Sequence, residues 1–101
     1  MGLFGRAKKK DIELIELKSM LSAEELALMV AELRTTASRA PGETGAIMSA
    51  MADSIEEGTA IPLKQGLDLC ISAINMNEAF HEAKNGSQEL ARKLEAIRKQ
   101  K

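Results

Sequence analysis

Tryptophan and tyrosine are missing from this chain, phenylalanine occurs twice, and one cysteine, one histidine and two prolines complete the list of scarce residues among 101. Each scarcity excludes something. Cys70, alone, cannot close a disulfide within the chain and has no second thiol for a zinc-finger or dithiol redox motif, so a reducing, cytoplasmic setting is expected. No apolar run approaches the roughly 18 residues that a spanning helix needs, so a soluble chain, at most peripheral to a membrane, is expected. No stretch alternates with period two for long enough to build a sheet.

What is present is aliphatic. Hydrophobic residues make up 45% of the chain, drawn mainly from Leu, Ile, Ala and six Met, a palette suited to helices packed on helices. At this length one domain is expected, burying roughly 65% of the surface of the unfolded chain. Charge is uneven. Residues 1–10 carry Arg6, Lys8, Lys9 and Lys10 with no acid; residues 11–82 carry thirteen acids against four bases; residues 83–101 carry six bases against Glu89 and Glu95. An acidic body thus lies between two basic ends.

The periodicity predicts helices throughout. In "DIELIELKSM", Ile12 with Ile15, and Leu14 with Leu17 and Leu21, fall at helical spacing behind Asp11 and Glu13, which predicts a helix over 9–20. "SAEE" is a capping box, Ser22 with Glu25, ahead of the stripe Leu26, Met29, Val30, Leu33 and Ala37, which predicts a helix over 22–39. A third helix, 44–57, carries Ile47, Met48, Met51 and Ile55, with Thr44 as its N-cap and Gly58 as its stop. Pro62 suits a first helical turn and opens a fourth, 62–85, while Gly66 reads as a close helix approach.

That fourth helix is apolar over more than half its circumference. Leu63, Leu67, Cys70, Ile71 and Ile74 form one stripe; Leu69, Ala73, Met76 and Phe80 form a second, so the helix should be central. The second stripe continues through Ala83, Ser87, Leu90, Leu94 and Ile97 at alternating spacings of four and three, a heptad seam across Asn85-Gly86-Ser87. Two readings stay open here. Either Gly86 and Ser87 end one helix and start another over 87–100, or a single helix of about 58 Å runs from 62 to 100 and needs a partner chain to cover it. The expected fold is all-α: a small bundle of four to five helices in residues 10–101, with a long, continuous or Gly-kinked C-terminal helix forming a coiled-coil-like seam, behind a flexible basic tail over 1–9.

Few residues suggest chemistry. Cys70 and His81 lie about 16 Å apart along one helix, which separates thiol from imidazole, and Cys70 reads as a small buried hydrophobe. Glu78 and His81 continue the first stripe, and their Glu-x-x-His spacing resembles half of the pattern in ferritin-like carboxylate proteins, implying iron or another transition metal at a dimer interface with Glu32, Glu56 or Glu57 adding a carboxylate. The plainer reading is an i, i+3 pair on a wet margin. "PGETG" could offer backbone N–H groups to an anion, but it lacks the Lys-Ser/Thr of a phosphate loop and reads better as a turn.

"MGLFGRAKKK" has Arg6 where myristoylation needs Ser or Thr; it leaves Leu3, Phe4 and the basic tail Arg6, Lys8, Lys9 and Lys10 as a weak membrane or nucleic-acid contact. The acidic body argues against dedicated nucleic-acid binding. The function expected is a non-enzymatic, self-associating helical interaction module, of adaptor, accessory or inhibitor type, without a cofactor. Its contact line would be Leu69, Ala73, Met76, Phe80, Ala83, Ser87, Leu90, Leu94 and Ile97, its partners itself and another protein. Small accessory proteins of bacteria and their phages have this general aspect. Metal binding through Glu78 and His81, and attachment to membrane or nucleic acid through the basic ends, are the alternatives.

Overall fold

A computed structural model describes residues 13–100. The fold is a small all-α bundle of four helices: α1 (Ala23–Arg39), α2 (Gly42–Glu57), α3 (Leu63–Ala79) and α4 (Ser87–Gln100). Two short extended segments, β1 (Leu14–Ile15) and β2 (Ile61–Pro62), pair antiparallel ahead of α3.

Local chemistry accounts for most helix ends. Ser22 and Glu25 form the capping box at the start of α1, with the Glu25 N–H donating to Ser22 Oγ and the Ser22 N–H to Glu25 Oε1. Gly58, at φ +85°, closes α2 in the left-handed conformation, while the Thr59 N–H reaches back to the Ser54 carbonyl. α1 and α2 turn tightly on each other. A Cβ on Gly45 would lie 2.4 Å from the Ala40 carbonyl oxygen, so only glycine allows this approach. Gly66 likewise sits under a neighbour, but that neighbour is the Ile61 side chain of β2 rather than another helix.

Three expectations are corrected. The helix predicted over 9–20 is not formed in its described part: β1 is followed by a 3₁₀ turn at Leu17–Ser19. Ile15 and Leu17 are buried while Leu14 and Glu16 face out, a period of two, and the Leu63 N–H donates to the Glu13 carbonyl. Thr44 does not cap α2, which starts at Gly42 after Pro41 without a side-chain cap. The fourth helix, expected over 62–85, ends as α3 at Ala79, and residues 80–86 form a connector, so that of the two readings left open for 62–100 the separate helices are the one formed.

The core joins Met29 and Leu33 of α1, Met48 and Ile55 of α2, Leu67, Cys70 and Ile74 of α3, and Leu90 and Leu94 of α4. α3 lies between α1 and α4, as its two apolar stripes predict. α3 and α4 run antiparallel as a hairpin, tied near its open end by Arg98 Nε at 2.6 Å from Asp68 Oδ1 and near the connector by Gln88 Nε2 donating to Glu78 Oε1 at 3.1 Å.

Candidate functional site

Glu32, Thr36 and Arg39 occupy one face of α1 at spacings of four and three, and that face meets the end of α3, the connector and the start of α4. Glu32, Thr36, Asn77 and Ser87 are all buried, the only polar side chains so placed among the described residues. Burial of such groups is tolerated only with hydrogen-bond partners, and here they supply them to one another.

Glu32 is the centre. Its Oε1 accepts from Asn77 Nδ2 at 2.6 Å, and its Oε2 accepts from the Lys84 backbone N–H at 2.7 Å and from Ser87 Oγ at 2.5 Å. Asn77 Nδ2 also donates to the Glu32 carbonyl at 3.0 Å. On its other side, Asn77 Oδ1 accepts from Arg39 Nη2 at 2.6 Å and from Thr36 Oγ1 at 2.9 Å. Arg39 then pairs with Glu82 through Nη1, and its guanidinium stacks 4.5 Å from the centroid of the Phe80 ring. One carboxyl of α1 therefore ties together α3, the connector and the first residue of α4.

Beside this network lies an open groove of about 420 Å³, lined by Arg39, Pro41, Thr44, Met48, Met76 and Phe80 among others. Its rim is apolar and wet at once: Phe80 is 58% exposed and Met76 42%. Exposed apolar patches mark protein contacts and ligand-binding grooves. The polar atoms of the neighbouring network point at each other under cover.

The nine residues of the expected contact line do not form one continuous seam. Ala73, Ser87, Leu90, Leu94 and Ile97 are buried in the chain's own bundle, Leu69 and Ala83 are half-buried, and only Met76 and Phe80 are exposed. The physical reason is the break at 80–86, which folds α4 back so that its apolar stripe closes against α3 and α1. Ser87 does not act as an N-cap; it is the first helical residue, and its hydroxyl turns inward to Glu32.

Glu78 and His81 share neither a helical face nor a third ligand. α3 stops between them, and Glu78 engages Gln88 while His81, exposed, sits in the turn at φ +61°. The buried stripe of α3 continues from Cys70 and Ile74 to Asn77, not to Glu78. Of the proposed extra carboxylates, Glu32 is held by the network and Glu56 by Arg34 at 3.0 Å. Among the described residues no group of three or more His, Cys, Asp or Glu side chains is gathered to hold a metal ion.

Cys70 is fully buried, and burial pushes its thiol up to about 12, which keeps it protonated and unreactive at neutral pH. Two surface groups shift through ion pairing. Glu25 is lowered, first by the hydrogen bond from Lys93 Nζ at 2.8 Å and then by the Ser22 N–H; Arg34 is raised by Asp53 and then Glu56. The basic tail Arg6, Lys8, Lys9 and Lys10 lies outside the described residues. No helix among the described residues is long and apolar enough to cross a membrane.

Comparison with protein-family models, curated proteins and solved structures finds no match to this chain.

The network was legible only in part from sequence. Glu32 lies beside Met29 and Leu33 at the edge of the α1 stripe, and Asn77 follows Ile74 by three positions. A polar residue in phase with a buried stripe is the available signal, and it points to Asn77 more directly than to His81.

Proposed function

We propose that this protein is a non-enzymatic helical interaction module that associates with itself and meets its partners through the groove edged by Met48, Met76 and Phe80. One observation carries the reading: Phe80 and Met76 stand exposed along an open apolar groove, with the Arg39 guanidinium stacked on the Phe80 ring. Aromatic and arginine side chains dominate binding energy at protein contacts, and methionine adapts its shape to a partner. A rigid support favours such a role, since the guanidinium stacked on the Phe80 ring is held in place by Asn77 and Glu82 before any partner arrives.

Substitution of an exposed residue tests this without touching the core. Phe80→Asp is expected to lower the weight-average mass seen by light scattering at a given concentration while leaving the helical circular dichroism unchanged. An unchanged mass for a chain that does associate would place the contact elsewhere.

A further inference from the structure

The heptad phase of Leu69, Ala73, Met76, Phe80, Ala83, Ser87, Leu90, Leu94 and Ile97 persists through a segment that is not helical. A connector has no reason to keep helical phase for its own sake. The conformation of that connector is also uncomfortable. α3 ends in a Schellman motif, with the Glu82 N–H bonded to the Asn77 carbonyl and the His81 N–H to the Glu78 carbonyl. The left-handed position of that motif, usually a glycine, is filled by His81 at φ +61°, the only non-glycine residue with positive φ among those described. Short hinge segments under backbone strain favour exchange of elements between copies.

We propose that the α3–α4 hairpin opens at residues 80–86 and that two copies of this chain exchange α4, each α3 continuing into α4 as one helix that packs antiparallel against its counterpart. The inference rests on the self-association part of the reading above and names its geometry. In the closed hairpin Asp68 meets Arg98 and Glu78 meets Gln88, pairs equidistant from Ala83 along the chain. Two long helices crossing at Ala83 keep this register, so Leu90 and Leu94 of one copy fill the place left empty in the other. Phe80 and Met76, exposed in the closed chain, come to lie within about one and two helical turns of the two-fold axis, where a second copy covers them. The contacts of Glu32 itself are almost conserved: Ser87 arrives from the other copy, and only the Lys84 N–H leaves Glu32, for a helical hydrogen bond.

The Lys93–Glu25 ion pair between α4 and α1 reports which chain supplies α4. Light and ¹⁵N-labelled protein, mixed in equal amounts, unfolded and refolded together, are separated by size, and the dimer is treated with a carbodiimide, which joins a paired amine and carboxylate. Mass spectrometry of the Glu25–Lys93 linked peptides is expected to find about half of them with one light and one heavy partner, as random pairing of exchanged chains requires. A dimer whose linked peptides are never mixed would overturn the exchange while leaving self-association intact. Monomer at every concentration would overturn both. Gly86→Ala, which disfavours the closed φ of +90° and favours helix, is expected to raise the dimer-to-monomer ratio several-fold, and His81→Gly to lower it several-fold. The opposite ordering of these two variants would also contradict the exchange.

Discussion

Glu32 shows how one buried side chain can decide a junction. Replaced by Gln, it would keep its volume but lose one of its two acceptor oxygens, setting an amide donor against either the Asn77 amide or the Lys84 N–H, neither of which can accept. Glu32→Gln is therefore expected to lower unfolding stability by about 1–3 kcal/mol, read as a shift in the urea midpoint at constant slope. A second residue, Glu25, sets a pH dependence. Its folded pKa lies below the ordinary 4.5 because Lys93 and the Ser22 N–H favour the ionised form, so its contribution is present above that value and is lost as pH falls through the folded pKa. The midpoint difference between the native chain and Glu25→Gln should be measurable near neutral pH and shrink as acid takes the chain through the lowered folded pKa of Glu25. A difference that grew in acid would contradict the assignment.

Among the elements, what sequence could and could not reveal divides along physical lines. α1 was legible because the capping box and an amphipathic stripe agree on it, and α2 and α3 because Gly58 and Pro62 bound them. The segment "IELIEL" misleads, since its isoleucines and leucines satisfy a period of three or four as well as a period of two; pairing with Ile61–Pro62, distant in sequence, selects the extended form. The end of α3 was hidden for a related reason. His81 occupies a glycine position, so the punctuation in the sequence, Gly86, marks the start of α4 instead. Of the candidate site, Met76 and Phe80 were in view, whereas Glu32, Thr36, Asn77 and Ser87 come together only through packing of three helices. The α1–α2 corner supplies a prediction at this scale. Alanine is a better helix former than glycine by about 1 kcal/mol, yet Gly45→Ala should destabilise, by about 1–3 kcal/mol, because its Cβ would meet the Ala40 and Ala37 carbonyl oxygens. Thermal unfolding checks the sign directly; a stabilised variant would mean that the two helices separate easily at this corner.

For the whole molecule, the bundle divides its apolar surface between two uses. The stripes of α3 and α4 that could have formed a long intermolecular seam are largely closed within one chain, and a smaller apolar rim at Met76 and Phe80 remains at the hairpin's hinge. Proteins seldom leave phenylalanine and methionine exposed together on a groove without something to cover them. The central claim is that a second copy does so. Native mass spectrometry of the unmodified chain over a range of concentrations tests it most directly: the account predicts a dimer whose share rises with concentration, and a chain that stays monomeric throughout would contradict it.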